Sequence, residues 1–106
     1  NCVKLKKITS SSLANVGKYD FKDCTRLESI TLGKNLKSIG DSAFNNNRKL
    51  KSVNIKSTKL SKVGKSAFSK IYSKAKFTVP KSKLKKYKKL IKSNGKAPKN
   101  VKFIAK

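Results

Sequence analysis

The sequence predicts a solenoid of short stacked coils, closed at one end by a segment of different character. Three observations carry that reading. The phrase Leu27-Glu28-Ser29-Ile30-Thr31-Leu32 returns 23 positions later as Leu50-Lys51-Ser52-Val53-Asn54-Ile55. A second phrase, Leu36-Lys37-Ser38-Ile39-Gly40-Asp41-Ser42-Ala43-Phe44, returns 24 positions later as Leu60-Ser61-Lys62-Val63-Gly64-Lys65-Ser66-Ala67-Phe68. From Pro80 the repetition ends and the apolar spacing becomes helical. A period in the twenties gives a unit too small to bury its own apolar face, so neighbouring units must stack.

Each coil divides into two parts. L-x-x-I-x-L reads as a short strand with Leu27, Ile30 and Leu32 turned inward, as should be Leu36, Ile39 and Phe44. The following I-G-x-x-A-F reads as a turn leading into a short helical or 3₁₀ piece. Gly17, Gly40 and Gly64 recur there, and a tight turn calls for a residue with free access to positive φ. Phe21, Phe44 and Phe68 are expected to form an aromatic ladder on the side opposite the strands. The outward strand positions stack as Thr9, Thr31, Asn54 and Thr78, with Lys7, Ser29, Ser52 and Lys76 beside them. Small hydroxyl and amide groups suit a solvated β face, which is the plainer reading; a floor for binding sugars is the alternative.

The repeat extends both ways. Cys2-Val3-Lys4-Leu5-Lys6-Lys7-Ile8-Thr9 matches the chain from Cys24 to Thr31, and Phe77-Thr78-Val79 matches Val53-Asn54-Ile55. Coils are therefore placed at about 1–21, 22–44 and 45–68, with a partial coil at 69–80. In residues 81–106, Leu84, Tyr87, Leu90 and Ile91 follow helical spacing among lysines from Lys81 to Asn94. Gly95 should stop that helix, Pro98 should prevent its restart, and Val101-Lys102-Phe103-Ile104 reads as a last strand. A basic amphipathic helix suits a membrane surface or a calmodulin-type partner. Its place after the last repeat favours covering the open end of the core. The chain opens inside a repeat with no leader sequence, so a piece of a longer protein is expected.

The 106 residues fit one modest domain, and no apolar run is long enough to cross a membrane. There are 29 basic and four acidic residues, a net charge of +25. Residues 1–41 hold eight basic residues and all four acids, Asp20, Asp23, Glu28 and Asp41, whereas 42–106 hold 21 basic residues and no acid. That half must attract polyanions. Lys83, Lys85, Lys86, Lys88, Lys89 and Lys92 of the helix are the candidate polyanion contacts; Thr9, Thr31, Asn54 and Thr78 are the candidate sheet-face contacts. A plain solubility role for the lysines competes with this, since Lys outnumbers Arg by 27 to 2 and bidentate anion recognition favours Arg. Nucleic acid fits less well, because aromatic residues are not interleaved with the basic ones on an exposed face.

Catalytic chemistry finds little to work with. His is absent, which removes the usual general base and leaves two cysteines a repeat apart without a zinc-ligand partner. Asp20 and Asp23 form the sole close acidic pair and fall in a repeat turn, so a glycosidase pair is not expected. No catalytic residue, metal site or cofactor is predicted. Cys2 and Cys24 occupy equivalent places in adjacent coils, about 5 Å apart at Cα and within disulfide range. Their parallel projection keeps the sulfurs from the required geometry without strain, which favours free thiols.

Phe21, Cys24, Leu27, Ile30, Leu32, Leu36, Ile39, Gly40, Ala43 and Phe44 together resemble the A-F-x-x-C-x-x-L-x-x-I-x-L-P-x-x-L-x-x-I-G-x-x-A-F pattern of the BspA-like leucine-rich repeats. Leu50, Val53, Ile55, Leu60, Val63, Gly64, Ala67 and Phe68 continue it; Val79-Pro80 restores the L-P pair, and Lys81 to Ile104 is similar to the closing segment of such arrays. Asn47 in place of Cys, Ser10 in place of Leu, and one extra residue between Ile55 and Leu60 depart from the pattern. The resemblance implies a right-handed β/α or β/3₁₀ leucine-rich-repeat solenoid from a secreted or cell-surface bacterial protein. It further implies adhesion or binding to a host surface protein rather than catalysis, while the lysine charge adds anionic polysaccharide or teichoic acid as partners. A structural spacer without a ligand of its own is the alternative. It supplies no binding residues.

Overall fold

The computed structural model describes residues 5–106. Five strands of four residues form one wholly parallel sheet: β1 (Lys7–Ser10), β3 (Ser29–Leu32), β5 (Ser52–Ile55), β7 (Lys76–Val79) and β8 (Lys102–Ala105), in that spatial order. Three two-residue strands, β2 (Asn15–Val16), β4 (Ser38–Ile39) and β6 (Lys62–Val63), form a second parallel sheet. Every pairing within the repeats joins one coil to the next at the register of the sequence repeat: Ile8 to Ile30, Ile30 to Val53, Val53 to Phe77. Val16, Ile39 and Val63 line up in the same way. The two-residue alternation then puts Leu27, Ile30, Leu32, Leu36, Ile39 and Phe44 in the core, each at most 1% exposed, as expected.

The I-G-x-x-A-F segment departs from expectation. Its first part is the second sheet, and its remainder forms turns instead of a helical or 3₁₀ piece. Two left-handed residues, four positions apart, recur in each coil: Tyr19 and Asp23, Ser42 and Asn46, Ser66 and Lys70, all with φ between 53° and 64°. They break any helical run. The backbone N–H groups bond between coils instead, as in Tyr19 to Asp41 O, Phe21 to Ala43 O, Ser42 to Lys65 O and Phe44 to Ala67 O, at 2.8–3.1 Å. Cross-coil bonding satisfies these groups, so the turns make a third inter-coil ladder.

The recurrent glycines also act differently. None has positive φ. A Cβ on Gly40 would lie 2.6 Å from the Lys18 nitrogen and 2.8 Å from the Gly17 carbonyl carbon; on Gly64 it would lie 2.4 Å from the Asp41 nitrogen. Successive coils touch backbone to backbone here, and glycine is required for that approach. The left-handed positions fall to Ser, Asn, Asp, Tyr and Lys.

Phe21, Phe44 and Phe68 form the expected ladder, stacked at 5.3 Å with interplanar angles of 5° and 7°. Phe77 of β7 meets Phe68 edge-on at 5.1 Å and stacks on Phe103 of β8 at 5.2 Å. Offset and edge-to-face rings add a little beyond their buried area, about 0.5–1.5 kcal/mol per pair.

The closing segment runs helically from Lys81 to Asn94: a 3₁₀ turn at Lys81–Lys83, α1 (Leu84–Lys89), and a π turn at Leu90–Asn94. Tyr87 and Ile91 are buried, with Leu84 and Leu90 packed at their flanks. Gly95 keeps helical φ, and the chain leaves the helix through left-handed Lys96, φ 55°. The end of the segment stands in for another coil. Ser66 and Phe68 donate to Asn94 O and Gly95 O at 2.8 Å, as Ser42 and Phe44 donate one coil earlier. β8 then pairs with β7 and covers its edge.

The extra residue between Ile55 and Leu60 makes the seat for this cap. Ser57 turns fully inward and its hydroxyl donates to Leu36 O at 2.6 Å. Tyr87 donates its phenolic hydrogen to Ser57 O at 2.8 Å and accepts from the Leu60 N–H at 3.1 Å.

Cys24 is disulfide-bonded, against the expectation of a free thiol. The other cysteine of the sequence, Cys2, lies outside the described residues. Side-chain direction inferred from the repeat alone does not exclude a disulfide, because χ1 has more than one staggered well. At the next coil Asn47 replaces the cysteine. It is fully buried and its Oδ1 accepts the Cys24 N–H at 2.6 Å, a hydrogen bond that joins the two coils.

Candidate binding surfaces

The outer face of the long sheet carries the polar ladder that the sequence predicts. Thr9, Thr31, Asn54 and Thr78 are in register, with Ile104 as a fifth, apolar rung. Lys7, Ser29, Ser52, Lys76 and Lys102 form the neighbouring column. At the carboxyl ends of β5 and β7 the ladder runs into a depression of about 400 Å³, where Asn54 and Thr78 meet Lys56, Pro80 and Lys106. The sequence did not associate those two lysines with the ladder.

The cap-helix lysines form a separate surface and do not line that depression. Lys85, Lys86, Lys88 and Lys89 are exposed, whereas Lys83 and Lys92 are half-buried and belong less to the solvent side than expected. Lys92 Nζ donates to Lys99 O at 3.3 Å, and Lys88 Nζ lies 5.9 Å from the centre of the Phe103 ring.

The four acids can offset few of the 29 basic residues, and most of them are engaged in the coil turns. Asp20 accepts the Gly17 N–H at 2.7 Å, Asp41 accepts the Lys65 N–H at 2.9 Å, and Asp23 accepts from Asn46 Nδ2 at 2.9 Å. Three of the four acids thus hold coil turns together. Among the described residues the one ion pair is Lys51–Glu28, 3.7 Å apart and well exposed. Such a pair adds at most about 1 kcal/mol.

Two exposed tyrosines correct the reading that no aromatic ring is interleaved with basic residues. Tyr19 has Lys18 and Lys22 Nζ at 5.4 and 5.5 Å from its ring centre. Tyr72 shares a depression of about 520 Å³ with Glu28, Arg48, Lys49 and Lys51. The available signal was that both tyrosines fall outside the apolar repeat columns; the basic neighbours of Tyr19 are near it in sequence, whereas those of Tyr72 come from another coil and needed the fold. Buried Tyr87 is the contrasting case: burial pushes its phenol pKa above the ordinary value, and the hydrogen bond from the Leu60 backbone pulls it partly back. No group of three or more potential metal ligands occurs among the described residues.

Parallel strands recurring at a fixed register, a ring ladder and a capping helix define a leucine-rich-repeat type of protein. The family described as "BspA type leucine rich repeat region (6 copies)" matches residues 1–104, and the chain belongs to it. No curated protein and no solved structure matches it.

Proposed function

We propose that this chain is a non-enzymatic binding module of a secreted or cell-surface bacterial protein, a right-handed solenoid that attaches to anionic polymers such as acidic polysaccharide or teichoic acid. One observation carries the reading. Basic residues outnumber acids 29 to 4, and among the described residues the one ion pair is the exposed Lys51–Glu28, so most of the positive charge is left to meet an external anion. The family's typical surface association supports the location.

Exposed ammonium groups bind polyanions mainly through counterion release, and such binding weakens steeply with salt. The test is a salt titration of heparin or teichoic-acid binding by the protein and by a variant with Lys85, Lys86, Lys88 and Lys89 changed to Gln. The variant should bind more weakly with a shallower salt dependence. No binding by the parent protein at low salt would leave a structural spacer as the better reading.

A further inference from the structure

We infer that the depression around Tyr72 is a subsite for one anionic sugar unit, in which the ring face is packed by the tyrosine and the acidic group is held by Arg48. The inference rests on the polymer-binding reading and adds a place, a stoichiometry and a chemistry to it.

The first argument is the tyrosine. Phe44, Phe68, Phe77 and Tyr87 fill the core, and Phe21 and Phe103 pack against it. Tyr72 is 44% exposed, while Ile71 beside it is the buried residue of that turn. Its ring adds nothing to the core that Ile71 does not already supply. An exposed aromatic with a negative face suits the weakly positive C–H groups on one side of a pyranose ring.

Arginine gives the second argument. The chain uses Lys 27 times and Arg twice, and both arginines fall in equivalent turns: Arg26 just before Leu27, Arg48 just before Lys49-Leu50. If bulk positive charge were all that mattered, Lys would serve there as it does elsewhere. A guanidinium offers a planar fork that matches a carboxylate or sulfate with two parallel bonds, which an ammonium cannot do.

Glu28 gives the third. It lines the same depression, within reach of Lys51 at 3.7 Å. A carboxylate there repels a continuous run of phosphates, yet it accepts hydrogen bonds from hydroxyl groups. The lining therefore pairs an anion fork with a hydroxyl acceptor beside an aromatic face. That set matches a sugar bearing both hydroxyls and one acidic group better than it matches a nucleotide chain. The volume of about 520 Å³ lies within the usual range for small-ligand sites, about 300–1,000 Å³.

The experiment titrates the protein with an oligogalacturonate tetrasaccharide, following amide shifts by NMR and heat by calorimetry at about 0.15 M salt. The same sugar as its neutral methyl ester, a sulfated heparin tetrasaccharide and a four-nucleotide oligothymidylate serve as comparison probes. The variants are Tyr72→Ala, Arg48→Lys and, away from both proposed binding surfaces, Lys59→Gln; thermal melts confirm that each is folded. The galacturonate should shift the amides around Tyr72 and Arg48. Tyr72→Ala and Arg48→Lys should each weaken it about tenfold or more, equivalent to roughly 1.4 kcal/mol, although the second preserves net charge. Lys59→Gln, which removes an exposed charge outside the depression, should leave it unchanged. The heparin fragment decides whether carboxylate or sulfate is preferred, and binding of either fits the subsite. Unchanged affinity in both site variants, equal binding of the ester, or tighter binding of the oligothymidylate would overturn it. If those results appear while long polymers still bind in a salt-dependent way, only the subsite fails. If long polymers do not bind either, the broader reading fails with it.

Discussion

Gly64 gives the sharpest test of how the coils are held together. An alanine Cβ there would lie 2.4 Å from the Asp41 nitrogen and 2.5 Å from both the Asp41 Oδ1 and the Gly40 carbonyl carbon. Two of those atoms are backbone, so no side-chain rotation relieves the clash. Comfortable carbon contacts begin at about 3.5 Å, so the coils must part locally by roughly 1 Å. The bonds from Gly64 N to Ile39 O, 2.7 Å, and from Lys65 N to Asp41 Oδ1, 2.9 Å, span that same gap and would stretch. Overpacking costs about 1–3 kcal/mol and a lost hydrogen bond about 0.5–1.5, so Gly64→Ala should destabilise by about 2–4 kcal/mol. For a domain of this size that lowers Tm by roughly 8–30 °C. The informative comparison is Ser66→Gly, where φ is 60°. Relief of the left-handed conformation, about 1–2 kcal/mol, offsets the extra unfolded-state entropy of glycine, about 0.5–1. Thermal and urea unfolding followed by circular dichroism measure both variants. If Gly64→Ala melts with the parent, or Ser66→Gly is the more damaging of the two, close approach is not why glycine recurs.

Further outcomes follow from the ring ladder and the cap. Phe44 is fully buried between two stacked rings, so Phe44→Ala should cost about 3–5 kcal/mol in urea unfolding. Half-buried Phe21→Ala, at the end of the ladder, should cost clearly less; equal losses would refute the stacking account. Tyr87→Phe orphans the Ser57 carbonyl and the Leu60 N–H and should lose about 1–3 kcal/mol near neutral pH. Because burial raises the folded pKa of Tyr87 above 10.0, the neutral phenol's contribution is fully present below pH 10 and fades as pH rises through the folded value. The gap between parent and Tyr87→Phe should therefore narrow above pH 10, and a constant gap would contradict the buried phenol. Deleting residues 81–106 uncovers the β7 edge and the core faces of Phe68 and Phe77, so light scattering should reveal aggregation. A monomeric, normally melting truncation would make the helix an appendage.

The sequence by itself determined the repeat, its register, the inward residues, the ring ladder and the closing helix. All of these follow from periodicity, because stacked coils bring equal positions together whatever the finer path of the chain. The tertiary structure decided what equal positions do once together. Gly40 and Gly64 look like turn glycines, and only the neighbouring backbone 2.4–2.6 Å from a would-be Cβ shows that they are contact glycines. The A-F segment looks helical until its N–H groups are seen to bond to the next coil. The inserted residue between Ile55 and Leu60 reads as a blemish, yet Ser57 becomes the seat of Tyr87, 30 positions away. Tyr72 and Glu28 are 44 positions apart and meet in one depression only because the coils stack. A repeat pattern fixes which residues share a column; what one column presents to the next depends on backbone separation and side-chain direction, and those exist only in the folded chain.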